Sequence, residues 1–351
     1  MNAGTVTIGF NALPLQPSGA GVSTYIRELL VALADRTDAR LVPLVQASAA
    51  GDLPRSLRPV TRPDSAGLRR VLAGLVGLGS TDLDLYHGLD VDLPVRHRCP
   101  TVATVHDLSV FDAPTGVPRA RVAGERLLVH HALRRADAVI AVSEFTASRV
   151  RERFGRTPTV VREAPGPDMV PPDAGELRTA REAFRLPDRF VLHVGSLDPR
   201  KNVDGLARAC AAAGLPLVLA GGTLGCSPPP GTLPLGFVPR AQLPALYGAA
   251  ELVAYVSVYE GFGLPPLEAM ACGAAVVTTP VPAVTELVGD AACTVAAGDA
   301  DGLADTIRAL AADPARRAEL ADACRRRATT RSWGDVAEET LAVYRRVGVR
   351  C

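Results

Sequence analysis

Of the 38 basic residues in this chain of 351, only Lys201 is a lysine, and 37 acidic residues bring the formal charge to +1. Without a basic field the chain lacks the sequence-independent attraction that underlies nucleic-acid binding, so no nucleic-acid partner is expected. Seven cysteines stand at 99, 210, 226, 272, 293, 324 and 351, with no C-x-x-C pair and no companion histidine spacing. That spacing excludes the usual zinc motifs and a disulfide framework, and predicts buried thiols apart from the terminal Cys351. No run approaches the ~18 uninterrupted apolar residues of a membrane span. The opening "MNAGTVTIGFN" also lacks a basic region followed by an apolar stretch, so a cytoplasmic location is expected.

What is present is ordinary globular composition, 48% hydrophobic and 21% charged, in a chain long enough for two domains with their own cores. Short apolar runs alternate with helical patterns: "VTIGF", "LDLYHG", "TVATVHD", "DAVIAVS", then "FVLHVGS", "LPLVLAGG", "ELVAYVS" and "AAVVTT". This alternation predicts βαβ units and parallel sheets, an α/β chain of two doubly wound, Rossmann-like domains. Open sheets of this kind bind ligands beyond the carboxyl ends of their strands, so two such domains are expected to face each other across a cleft. The Pro-, Gly- and charge-rich stretch around 163–189 marks the connection between them. The expected division is 1–168, 169–331, and a final helix, 332–351, packing towards the first domain.

In "SVYEGFGLPPLEAMACG", residues 257–273, Glu260 and Glu268 flank a Gly-Phe-Gly-Leu turn that runs into two prolines. Gly261 and Gly263 allow a sharp turn, and proline suits the first turn of a helix. The amides of Phe262, Gly263 and Leu264 would then point from a positive helix end, a site for an anion. The carboxylates should be aimed elsewhere. "VGSLDPRKN" puts Arg200 and Lys201 on a second strand-to-helix loop, where a guanidinium fork and a compact ammonium suit a diphosphate. His106 ends the strand "TVATV", another carboxyl edge. Gly19 and Gly21 form a G-x-G turn before a helical pattern at 22–33, but Thr24 and the missing acidic residue after "LVPLVQ" argue against a dinucleotide fingerprint. Two Asp-x-Asp triplets, 82–84 and 90–92, border a strand-like run and are read as outward acids rather than as metal ligands. "LRRVLAGLVGLG" is read as a core helix with basic N-terminal residues, the other reading being a weak peripheral membrane contact.

Taken together, "HVGSLDPRKN", "YEGFGLPPLEAMACGAAVV", "TVATVHDLSVF" and "ADAVIAVSEFTASRVRERFG" resemble the retaining GT-B glycosyltransferases of glycosyltransferase group 1, the group that includes bacterial mannosyltransferases and glycogen synthase. The likeness covers nearly the whole chain. It departs at Ser196, where many members carry a basic residue, and at "EAPGPDM", where relatives usually read Pro-Asn-Gly-Val-Asp. The resemblance implies the GT-B architecture and metal-independent transfer of a hexosyl group from a nucleoside diphosphate sugar to an acceptor hydroxyl or amine, with no cofactor beyond that co-substrate. It implies that Arg200 and Lys201 hold the donor diphosphate with the amides of Phe262–Leu264. Glu260 would face the donor sugar and Glu268 the ribose, with His106 near the reacting face. Gly19, Gly21, Gly195, Ser196 and Gly261 complete the expected donor contacts, and the "PSGAG" loop is an expected wall of the acceptor site. A nucleotide-sugar epimerase on the same fold and a non-catalytic nucleotide-sugar binder stay open as alternatives; sugar, base, acceptor and oligomeric state are not legible.

Overall fold

The computed structural model describes residues 5–351 other than 18, 20, 55, 80, 81 and 115–118. The chain forms two compact units, one running to Glu163 and including Trp333–Cys351, the other Ala164–Ser332. In the first unit the strands are β1 (Thr7–Asn11), β2 (Arg40–Gln46), β3 (Val60–Arg62), β4 (Leu85–Gly88), β5 (Thr101–Val105), β6 (Ala138–Ala141) and β7 (Thr159–Val160), in the order β3-β2-β1-β4-β5-β6-β7. Every pairing is parallel. The strands of the second unit are β8 (Val191–Val194), β9 (Leu217–Ala220), β10 (Leu233–Gly236), β11 (Leu252–Tyr255), β12 (Val276–Thr278) and β13 (Cys293–Thr294), in the order β10-β9-β8-β11-β12-β13, again parallel. Both sheets are doubly wound, and in each the order reverses beside the first strand, at β1/β4 and at β8/β11.

Continuous apolar strands such as "TVATV" and "LVLA" are buried because a parallel sheet is covered on both faces. Val105, Leu108, Ala132 and Val139 sit in the core of the first unit, Val191, Leu206, Leu252 and Ile307 in that of the second. The helix Trp333–Arg346 packs on the helix Gly21–Ala34 of the first unit. A buried polar chain anchors it: His87 Nδ1 lies 2.7 Å from the Tyr344 hydroxyl, its Nε2 2.9 Å from Thr104 Oγ1, and Thr104 Oγ1 3.1 Å from the Tyr25 hydroxyl. Burial, and then His106, depress the His87 pKa to about 3, so the ring is neutral and needs both neighbours.

Two expectations are corrected. The helix Leu68–Val76 lies at the rim of the core and not within it: Ala73 packs against the core of the first unit, but Leu72 and Val76 are exposed by 52% and 65%. Among the described residues no helix is long and apolar enough to cross a membrane. Cys210, Cys272 and Cys324 are buried, but Cys99 and Cys293 are only partly buried, like the terminal Cys351, and Cys226 is exposed. Cys226 lies in a Gly- and Pro-rich connection between β9 and β10 whose one large apolar side chain, Leu224, is itself 70% exposed.

Candidate functional site

In the second unit the reversal point brings the two motifs of the sequence into contact. Gly195 follows β8 with φ +152, and a Cβ on Gly221, itself at φ +148, would lie 2.1 Å from the Gly195 carbonyl oxygen. Only glycine permits so close a backbone approach. Beyond Ser196, Asp198 Oδ1 accepts from the Arg200 amide at 2.9 Å and caps the 3-10 turn Pro199–Lys201; the Arg200 carbonyl accepts from the Val258 amide at 2.8 Å. The loop after β8 is thereby fastened to the loop after β11.

Lys201 Nζ donates to Glu260 Oε1 at 2.5 Å and to the Tyr255 hydroxyl at 2.7 Å. Its side chain is 11% exposed and that of Glu260 9%. Burial pulls the ammonium towards the neutral form, but Tyr255 and Glu260 outweigh it and hold the pKa above the ordinary lysine value. Arg200 Nε lies 3.4 Å from Asp198 Oδ2. The helix Leu264–Ala271 starts two residues past Gly261–Phe262; Gly263, at φ +110, precedes it, Pro265 and Pro266 occupy its first turn, and no side chain caps it. First-turn amides lack intrahelical acceptors, so this end carries partial positive charge.

The carboxylates flanking that turn do not share a surroundings. Glu260 pairs with Lys201, whereas Glu268 is buried against Arg240 Nη1, which donates to its Oε1 at 3.0 Å, and Tyr247, whose hydroxyl donates to Oε2 at 3.3 Å. Burial raises the Glu268 pKa to about 7, against the opposing pull of Arg240. Each glutamate thus has its own cation, which lets two buried carboxylates flank an anion-attracting turn.

In the first unit His106 directly follows β5. Its Nε2 donates to the Leu89 carbonyl at 2.9 Å, its Nδ1 lies 3.6 Å from Glu163 Oε1, and Tyr25 packs edge-on at 4.6 Å between centroids. Burial disfavours the imidazolium, but Glu163, Asp90 and the Leu89 carbonyl prevail and raise the pKa to about 8. A folded-state pKa above the unfolded 6.5 contributes stability in full below pH 6.5 and loses it as pH rises through 8. The expected contribution is about 2 kcal/mol. Denaturant unfolding of the wild type should show that decline, and Glu163→Gln should flatten it; parallel profiles would refute the pairing.

Gly19 sits where a Cβ would meet Ser23 Oγ at 1.9 Å, and Gly21 opens the helix Gly21–Ala34. Ser18 and Ala20 of the same loop lie outside the described residues. Asp84 accepts from the Thr7 amide and Asp90 from its neighbour Val91, while Asp92 is buried. Among the described residues no group of three or more His, Cys, Asp or Glu could hold a metal ion.

Sequence reasoning did not find Tyr255, Arg240, Tyr247, Glu163 or His193. Tyr255 ends the strand "LVAY", His193 opens "HVGSLDPRKN" and Glu163 opens "EAPGPDM", so these three carried a signal in their position; Arg240 and Tyr247 are single residues without a motif. His193 Nδ1 donates to the Ala254 carbonyl at 3.2 Å. Burial and Lys201 depress its pKa to about 4, so the ring is neutral.

The family model for glycosyl transferases group 1 matches residues 178–331, and that for glycosyltransferase family 4 matches residues 19–165. O-antigen chain mannosyltransferase B of Escherichia coli is 32% identical over 284 residues, 74% of each chain. D-inositol 3-phosphate glycosyltransferase of Rhodococcus erythropolis is 31% identical over 73% of this chain; the match spans 63% of that protein's length. The crystal structure of Anabaena HepE in complex with UDP and glucose superposes with a TM-score of 0.76 over 96% of this chain and 99% of that one, at 21% identity. The fold is GT-B. Alignments across both units, at this identity and over this share of the mannosyltransferase, place the chain in the glycosyltransferase group 1 family.

Proposed function

We propose that the protein transfers a hexosyl group from a nucleoside diphosphate sugar to an acceptor hydroxyl or amine, retaining the anomeric configuration and using no metal. The observation that carries this reading is the Lys201 ammonium, held at the reversal point of the second sheet by Tyr255 and by Glu260, the residue that leads through Gly261–Gly263 into an uncapped helix start. Breaking the bond from the anomeric carbon to the diphosphate puts negative charge on the leaving oxygens. Lys201, Arg200 and the amides of Phe262–Leu264 stabilise that charge, with Gly195 and Ser196 giving the phosphates close access to the backbone. Glu260 accepts from donor-sugar hydroxyls and Glu268 from ribose hydroxyls. The UDP and glucose bound by HepE support a donor of this class. The first unit binds the acceptor, with His106 at the carboxyl edge of its sheet and the loop around Gly19 and Gly21 as one wall.

Thermal denaturation against a panel of UDP-, GDP-, ADP- and deoxythymidine diphosphate sugars tests the donor class. Stabilisation by one or two of them is expected, and by none of them would reject the reading. The anomeric configuration of the product, read by NMR coupling constants, tests retention. Because protein cations serve the diphosphate, a chelator should change the rate by less than about twofold. A larger loss that magnesium or manganese restores would overturn metal independence.

A further inference from the structure

The cation that serves Glu268 has no part in the mechanism above. Arg240 stands in the 3-10 turn Arg240–Gln242 after β10. On one side its Nε and Nη2 make a two-point contact with Asp168, at 2.9 Å to Oδ2 and 2.7 Å to Oδ1; on the other, Nη1 reaches Glu268. The main chain of the segment bearing Asp168 passes directly against the guanidinium, since a Cβ on Gly166 would lie 1.8 Å from Arg240 Nη2. A planar fork can serve two carboxylates at once, which a lysine cannot do in this geometry.

An ionised carboxylate offers about four lone-pair sites. Arg240 takes one on Oε1 and Tyr247 one on Oε2, leaving one free on each oxygen, the number needed to accept from two neighbouring hydroxyls. We propose that Arg240 is a positioning residue for nucleotide recognition, fixing the Glu268 carboxylate so that its remaining lone pairs meet the ribose 2′- and 3′-hydroxyls. The inference rests on Glu268 being the ribose acceptor. The charged groups around Glu268 agree with it: Arg240 and Tyr247 favour the ionised form, Asp168 opposes it, and the Cys272 thiol alongside is itself pushed up by burial and by Glu268. With its pKa at about 7, Glu268 depends on Arg240 to be charged at neutral pH.

The test is calorimetry with UDP and GDP and with their 2′-deoxy counterparts, from about pH 6 to about pH 9, the range that brackets this titration. The wild type should prefer the ribose form about tenfold at the alkaline end, as fits one hydrogen bond to a charged group, with the preference shrinking as pH falls through 7. Arg240→Gln should abolish the preference at neutral pH and regain part of it near pH 9, a recovery that mere misfolding cannot produce. Asp168→Asn loosens the far side of the guanidinium and also removes a charge that opposes ionisation of Glu268, so its preference should be weaker than wild type at the alkaline end yet persist to lower pH; it serves if Arg240→Gln does not fold. Wild-type preference and pH dependence in both variants, with loss of the preference in Glu268→Ala, would overturn the role of Arg240 and leave the ribose reading standing. Wild-type preference in Glu268→Ala would overturn both.

Discussion

Lys201→Ala is expected to lower turnover at saturating donor by on the order of a hundredfold or more, corresponding to about 2–4 kcal/mol of lost transition-state stabilisation. The lysine is nearly buried, its charge is held by Glu260 and Tyr255, and no other ammonium side chain exists in the protein. A contact with a diphosphate that gains charge as its bond to the sugar breaks is stronger in the transition state than in the ground state, so the loss should fall on kcat more than on acceptor KM. The substitution also strands the buried Glu260 carboxylate, so melting midpoints must accompany the kinetics. Lys201→Arg separates the two effects: it keeps a cation for Glu260, but a planar fork does not fit the space of a compact ammonium between Glu260 and Tyr255. Its stability should lie closer to wild type while its turnover stays impaired. Wild-type kcat in Lys201→Ala would reject the role of this residue.

The second large effect is on stability. Tyr344→Ala is expected to cost about 3–5 kcal/mol, the usual range for emptying a large buried aromatic site, although the residue lies near the end of the chain. Tyr344 is fully buried, packs edge-on against His87 at 5.6 Å between ring centroids, and supplies the partner of His87 Nδ1. Tyr344→Phe keeps the ring and removes only the hydroxyl, leaving the neutral imidazole one partner short, which costs about 1–3 kcal/mol. Chemical denaturation of the three proteins should rank them in that order. Equal stability of Tyr344→Phe and wild type would mean that water replaces the hydroxyl.

The sheet strands inside both units could be read from the sequence because buried parallel strands are apolar on both faces, as "FVLHV" and "LPLVLA" show. Strands β3, β7, β10 and β13 could not, being two to four residues long with weak patterns such as "VTR" and "CT". In the candidate site, residues on strand-to-helix loops announced themselves through glycine, proline and charge, which is how Lys201 and Glu260 came to notice on separate loops. Their direct contact was not foreseen, because it depends on β8 and β11 being neighbours although two strands intervene in sequence. Glu163 was read only as part of a charged connection, because nothing local reveals that it ends beside His106. Arg240 is one arginine among 37, and only the folded chain distinguishes it. The exposure of Cys226 followed from loop composition and could have been read; treating all internal cysteines alike concealed it.

The last helix belongs to the first unit, so that unit is discontinuous while Ala164–Ser332 is one unbroken stretch. During synthesis the unbroken stretch is complete while the first unit still awaits Trp333, Leu341 and Tyr344, and His87 lacks the Tyr344 hydroxyl on its Nδ1 until that residue emerges. The nascent first unit is therefore the more exposed to proteases and chaperones. A truncation before Trp333 should leave a protected fragment covering the second unit and a first unit that protease degrades.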